Sequence, residues 1–306
     1  MGVKQGCIMS QLLFSVAIDW VMRKSTENEQ TGIKWIDNSV LEDLDYADDL
    51  ALLSANHTDA QSKLDSLQHY SNQIGLKINT SKTHILDFTT SNDDIKIQNV
   101  PLLKVNNFTY LGTNLILDGD TSKEILHRIA LAAGAFNKLR NIWKSNTLRN
   151  TTKLRLFNSN IIPILLYGWE SWKATKATDK RLNTFENKCL RIILNVKWSD
   201  FKSNTTIREE SKQTYIASFI RQRRWNYTGH VLRMNSLRIP HQSLNWVPSG
   251  VRRRGRPRET LRRTINREGM SMNLNNTQEL KDLATQRQKW KAMVSALCAA
   301  YGPGGT

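Results

Sequence analysis

Leu41-Glu42-Asp43-Leu44-Asp45-Tyr46-Ala47-Asp48-Asp49-Leu50-Ala51-Leu52-Leu53 reads as a strand, a tight turn and a second strand. Apolar residues lead up to and away from the tetrad Tyr46-Ala47-Asp48-Asp49, and their near-continuous character predicts a sheet covered on at least one face. Two adjacent carboxylates at a turn tip offer hard oxygen ligands to a divalent cation such as Mg2+ or Mn2+. Such a pair is more often a solvated turn, so its meaning depends on its surroundings.

Upstream, Ser10 is expected to cap a helix on which Leu12, Leu13, Val16, Ala17, Trp20 and Val21 share one face, ending near Arg23-Lys24. Downstream, Ala60, Leu64, Leu67 and Ile74 fit a second helix stopped by Gly75. Leu76-Lys77-Ile78-Asn79 reads as a strand, and Val105 to Leu117 as a strand pair broken at Gly112. From Ser122 the period becomes helical, with Ile125, Ile129, Ala132, Phe136, Leu139 and Trp143 on one face. Leu154, Phe157 and Ile161 mark another helix, and Leu182, Phe185, Cys189 and Ile192 a further one. The stretch Ile220 to Arg263, rich in Arg and Trp and punctuated by Pro240, Pro248 and Pro257, reads as a loosely folded basic module. One last helix is expected over about Thr277 to Ala300. The predicted fold is α+β, in three parts: 1–120, 121–200 and 201–306.

With 306 residues and 39% apolar content, the chain can build more than one core. Its net charge of +17 is unevenly placed: residues 1–120 carry 9 basic and 16 acidic side chains, a balance of −7, and residues 121–306 carry 35 and 11, a balance of +24. This implies a polyanionic partner held mainly by the second part. Cys7, Cys189 and Cys298 lie far apart without a CxxC, which argues against a disulfide framework or a zinc knuckle. The longest nearly apolar stretch, Ile161 to Trp169, is far short of the roughly 20 residues of a membrane span. The N-terminus lacks a secretory pattern, so an intracellular protein, nuclear or cytoplasmic, is expected.

Four motifs follow one another in order: Gly2-Val3-Lys4-Gln5-Gly6-Cys7-Ile8-Met9-Ser10, then Tyr46-Ala47-Asp48-Asp49, then Gly75-Leu76-Lys77-Ile78-Asn79-Thr80-Ser81-Lys82-Thr83, then Phe108-Thr109-Tyr110-Leu111-Gly112. Together they resemble the C-terminal part of a non-LTR retrotransposon reverse transcriptase, LINE-like and of the RTE type. The likeness continues more weakly through Leu166-Tyr167-Gly168-Trp169-Glu170, Arg224 to Met234, and Arg254-Gly255-Arg256-Pro257.

The resemblance implies a partial polymerase palm over 1–120, a helical thumb over 121–200 and a basic, mainly helical nucleic-acid-binding extension over 201–306. It implies RNA-directed DNA synthesis by two-metal nucleotidyl transfer, with an RNA template, a DNA primer and dNTPs as partners and Mg2+ or Mn2+ as cofactor. Asp48 would be the principal metal ligand and Asp49 the second. Gln5 and Gly6 would lie against the templating pair and the incoming nucleotide. Tyr46 would either join them or pack. Lys82 would either neutralise or protonate the leaving pyrophosphate or remain a solvated charge. Tyr110, Leu111 and Gly112 would support the primer end.

Two departures stand out. The family's Ser-Pro is here Ser10-Gln11, and no strand carries the first catalytic Asp, with Asp19 placed on a helix instead. The chain alone is therefore not expected to polymerise. The competing readings are a non-catalytic nucleic-acid-binding remnant or a minor-groove module.

Within the basic part, Lys123, Arg128, Lys138, Arg140, Lys144, Arg149, Lys153 and Arg155 could line a surface that tracks a duplex backbone. Arg221, Arg223 and Arg224 interleave with Trp225 and Tyr227, a pattern suited to unpaired bases, with Trp225 alternatively a core residue. Arg252, Arg253, Arg254, Arg256 and Arg258 surround an Arg-Gly-Arg-Pro that resembles the core of an AT-hook. A localisation patch or solubilising loop would look the same, and generic phosphate binding ranks first.

Overall fold

A computed structural model describes residues 6–27, 30–36, 39–89, 93–119, 121–172, 175–247, 259–274 and 276–300. The chain divides into two compact units, one of residues 1–119 with 246–252 and the other of residues 120–245 with 253–306. The division at 119–120 falls where the sequence period changes. Residues 121–245 and 253–306 fall in one unit, with no division at 200.

In the first unit, α1 (Ile8–Thr26) precedes β1 (Ile33–Lys34), β2 (Val40–Leu41), β3 (Asp43–Tyr46) and β4 (Asp49–Leu52). Then come α2 (His57–Gln73), β5 (His84–Ile85), β6 (Lys96–Ile97), β7 (Val100–Pro101), β8 (Leu103–Lys104), β9 (Asn107–Tyr110) and β10 (Thr113–Ile116). Among the described residues the strands pair only two by two: β1 with β2, β3 with β4, β6 with β7 and β9 with β10 antiparallel, and β5 with β8 parallel. Two small cores result, one in which Leu64 of α2 meets Ile95, Ile97 of β6 and Leu102, and one made mainly by helices. Ile18, Val21 and Met22 of α1 close on Leu67 of α2, with Leu50 and Leu52 of β4 packed against them. Each such side chain contributes about 1.5–3 kcal/mol when fully buried.

The cap of α1 is Cys7, not the expected Ser10, and no side chain serves it. Its opposite flank stays in water, with Ile8, Met9, Leu12, Leu13 and Val16 all exposed. By contrast, α2 ends as expected, with Gly75 (φ +78°) in a left-handed turn, and the structure adds a cap at its start, where the Asn56 side chain accepts from the Asp59 amide. Leu76 to Asn79 is not a strand. Leu76 and Ile78 instead drop into the core beside α2, which satisfies an alternating apolar pattern without a ladder.

The second unit contains α3 (Thr121–Lys138), α4 (Arg140–Lys144), α5 (Asn150–Leu156), a π turn over Phe157–Ile161, α6 (Ile162–Leu165) and α7 (Lys176–Ile193). It continues with α8 (Asn204–Ser211), α9 (Ile216–Leu232), α10 (Ile239–Ser243), α11 (Leu261–Met270), α12 (Thr277–Thr285) and α13 (Arg287–Ala300). The anticipated face of α3 is buried at Ile125, Ala132 and Phe136 and continues to Trp143 after a break at Leu139. From Ile220 to Leu232 the expected loose basic module is instead a helix, because α9 runs unbroken and joins two cores; residues 248–258 of that module lie outside the described residues. Its Ile216 and Ile220 belong to the core of α3 to α7, and its Trp225 packs with Ile265, Leu280, Ala284, Trp290, Val294 and Leu297. The last helix is two, separated at Gln286. Among the described residues no helix is long and apolar enough to cross a membrane.

Candidate active site

The β3–β4 hairpin pairs Asp43 with Leu52, Leu44 with Ala51, Asp45 with Leu50 and Tyr46 with Asp49, leaving Ala47 and Asp48 as a two-residue turn. Directly opposed residues share a face. Asp43 and Asp45 thus lie on the side of Leu50 and Leu52, while Asp49 lies with Tyr46 on the other. Ala47 has a φ of +56°, a conformation that costs an L-residue about 1–2 kcal/mol and that hairpins usually assign to Gly or Asn. Strain is therefore stored beside the carboxylate pair. Asp48 and Asp49 are exposed, and among the described residues neither side chain has a hydrogen bond or ion pair. Both remain available to an external cation.

Two distant residues shape this hairpin. Tyr110, the last residue of β9, donates its hydroxyl to the Leu44 carbonyl at 2.9 Å and lies 3.4 Å from the Asp49 carbonyl. Burial first, and then the charges of Asp49, Asp45 and Asp43, push the Tyr110 hydroxyl above the usual phenol range. Burial and the neighbouring Asp45 likewise raise Asp43. The β9–β10 turn itself is Leu111-Gly112 with φ of +46° and +75°, two positive values that tighten the turn and present Tyr110 at its root.

The second residue is Lys63 of α2, which is wholly buried. Its ammonium donates to the Glu42 carboxylate at 2.6 Å, the Leu53 carbonyl at 2.6 Å and the Glu42 carbonyl at 3.2 Å. A lysine has three protons to give, and all three go to the open end of the hairpin. Lys63 was missed in the sequence. The signal was its spacing, since it sits three residues after Ala60 and four before Leu67 on the buried face of α2.

Of the other anticipated residues, Tyr46 is 67% exposed and stands opposite Asp49 in the hairpin. Gly6 has a φ of +90° with open space where a Cβ would stand, so its conformation rather than crowding calls for glycine. Gln5 lies outside the described residues. Lys82 is exposed on a turn in which its amide donates to the Asn79 side chain at 3.2 Å. Asp19 pairs with Arg23 at 3.0 Å on the surface of α1. Among the described residues no three acidic, His or Cys side chains converge into a group able to hold a metal. Asp48 and Asp49 are hard donors suited to Mg2+, but they supply only part of its shell.

In the second unit, Arg221 and Arg224 are not surface charges. The Arg221 Nε and Arg224 Nη1 donate to Glu268 at 3.2 and 3.0 Å, and Trp225 Nε1 donates to the same carboxylate at 2.7 Å. Glu268 enters from α11, 43 residues beyond Trp225, and turns the cationic side of α9 into core. Trp225 is accordingly buried, the second of its two readings. Arg223 stays partly exposed, pairs with Glu170 and lines a cleft of about 460 Å³ with Gly168, Asn226 and Tyr227. Arg252, Arg253, Arg254, Arg256 and Arg258 lie outside the described residues.

The family model for reverse transcriptase (RNA-dependent DNA polymerase) matches residues 1–115. A second model, for a domain of unknown function, matches residues 135–167. An uncharacterized transposon-derived protein of Caenorhabditis elegans, F52C9.6, is 30% identical over 219 residues, covering 68% of this chain and 77% of that protein. Two Pol polyproteins from the type-1 retrotransposable element R2 of Popillia japonica are each 26% identical, over 203 and 185 residues. The alignments cover 63% and 56% of this chain and 28% of each polyprotein, so the chain spans little more than a quarter of those relatives. On the matched motifs and this similarity, the chain belongs to the reverse transcriptases of retrotransposons.

Proposed function

We propose that the chain is part of an RNA-directed DNA polymerase of a non-LTR retrotransposon, RTE-like, in which the first unit carries half of the palm and the second serves as thumb and nucleic-acid grip. The observation that carries this is the pair Asp48 and Asp49, exposed and unpaired at a strained hairpin tip that Tyr110 and Lys63 hold in place. Asp48 and Asp49 would hold divalent metal, which would supply charge stabilisation for the attacking and leaving oxygens of nucleotidyl transfer. The residues of this chain orient the carboxylates and leave one face open to a triphosphate. A further acidic strand is required to complete the shell, since no third carboxylate joins the pair among the described residues. The RNA template and DNA primer would be gripped through the excess charge of residues 121–306.

The test is to join the chain to a palm segment bearing an Asp-containing strand and to assay template-dependent dNTP incorporation with Mg2+. Incorporation that Asp48→Ala abolishes supports the proposal. Incorporation that survives Asp48→Ala would remove the carboxylate pair from the chemistry. The incomplete acidic set also favours a second reading, a nucleic-acid-binding remnant without catalysis. That reading gains if the completed protein binds primer-template in a salt-dependent way and incorporates nothing.

A further inference from the structure

Between α7 and α8 the chain turns through Asn195 to Ser203, and at its crest Trp198 is 92% and Phe201 86% exposed. These are the most exposed large rings among the described residues, in a unit that buries Trp143, Trp169, Trp225 and Trp290. The turn is braced at both ends. Asn195 (φ +53°) closes α7, with the Val196 amide donating back to the Arg191 carbonyl at 2.9 Å. The Arg191 guanidinium reaches across to the Lys202 carbonyl and the Asn204 side chain, both at 2.9 Å. The Lys197 amide donates to the Asp200 carboxylate at 2.8 Å, Lys202 pairs with Glu210 at 2.6 Å, and Ser203 caps α8 through the Thr206 amide. Phe201 itself is held at φ +46°, a conformation that a bulky residue adopts only when its surroundings impose it. A loop that merely connected two helices would need neither the strain nor the rings.

We infer that Trp198 and Phe201 form a stacking platform for the unpaired bases of a single-stranded nucleic acid. The charge excess of +24 over residues 121–306 selects a polyanion, exposed Lys197 flanks the rings, and two large π faces match a polyanion whose own bases are open. Bases in a duplex are stacked on each other and offer no such face, so the platform discriminates strand state rather than sequence. The inference rests on the reading of the second unit as a nucleic-acid grip.

The experiment measures fluorescence anisotropy of the full chain with a labelled 20-nucleotide single strand and a blunt duplex of equal length, from 50 to 200 mM salt. Trp198→Ala/Phe201→Ala should weaken single-strand binding by at least about tenfold and leave duplex binding within about twofold. Its salt slope should not change, because no cation is removed. Trp198→Tyr/Phe201→Tyr should restore most of the affinity, and circular dichroism should be the same for all three proteins. Equal single-strand affinity for wild type and the alanine variant would overturn the platform while leaving the grip in place. So would an alanine variant that keeps its affinity but changes oligomeric state in sedimentation, which would assign the rings to a protein contact. A wild-type chain that binds neither oligonucleotide would overturn both.

Discussion

Replacing Lys63 with methionine tests whether a buried ammonium, and not a larger sheet, holds the carboxylate hairpin. Methionine fills much the same volume but takes the ammonium from the Leu53 carbonyl and from the Glu42 carboxylate, 15% exposed, which keeps the Thr31 hydroxyl at 3.3 Å but loses its counter-charge; the Glu42 carbonyl keeps the Leu53 amide. Removing one partner of a buried ion pair costs about 3–5 kcal/mol. That is a large part of the roughly 5–15 kcal/mol that stabilises an ordinary domain. With a urea dependence near 2 kcal/mol per molar, the unfolding midpoint should fall by about 2 M. Substituting both residues, Lys63→Met with Glu42→Met, removes the orphaned charge and should recover most of the loss. Urea unfolding followed by circular dichroism gives the global figure. Hydrogen exchange at the Leu53 amide, which donates to the Glu42 carbonyl at 2.8 Å, gives the local one. A midpoint shift under about 0.5 M for the single variant would refute the anchoring role. A lower midpoint with unchanged exchange at Leu53 would place the effect away from the hairpin.

Three further outcomes follow from the geometry. Burial pushes Asp87 upward, but hydrogen bonds from Thr89 and then from His57 outweigh it and hold the carboxyl at about 2 against an ordinary 3.8. Because its folded value is depressed, its stabilisation is complete above 3.8 and is lost as the pH falls toward 2. After solvent screening roughly 1 kcal/mol is at stake, so acid titration of Asp87→Asn should lack that portion of the decline. Gly229→Ala would press a methyl group onto the Trp290 indole, and overpacking of this kind should cost about 1–3 kcal/mol in thermal unfolding. Tyr110→Phe removes the bond to the Leu44 carbonyl and should cost about 0.5–1.5 kcal/mol, and a wild-type melting curve would disprove that tie between the two hairpins.

The elements that sequence revealed are those whose local signals agree. The α2 helix had an apolar stripe and a stopping glycine, and both hairpins had a turn between apolar runs. What it hid depended on partners far along the chain. Arg221 and Arg224 break the apolar period of α9, and only Glu268, 44 residues beyond Arg224, makes those positions core. Without that carboxylate in view, the arginines alone gave the helix the pattern of a nucleic-acid-binding surface. At the site, the Asp48-Asp49 tip was legible because turn chemistry is local, whereas its supports come from outside the hairpin: Tyr110 lies 61 residues beyond the Asp49 it approaches, and Lys63 lies 21 beyond the Glu42 it pairs with. The missing strand at Leu76 to Asn79 has the opposite cause: its alternation was real, but apolar side chains alternating toward a core do not require a neighbour in a ladder.

The bare flank of α1 has a practical consequence. Ile8, Met9, Leu12, Leu13 and Val16 offer an oily strip more than two helical turns long to any small amphiphile in solution. Dyes that brighten on greasy surfaces should already glow with the native molecule, so a dye-based melting trace will begin high and flatten the transition. Calorimetry and circular dichroism, which read heat and backbone instead, are the measurements by which its unfolding should be judged.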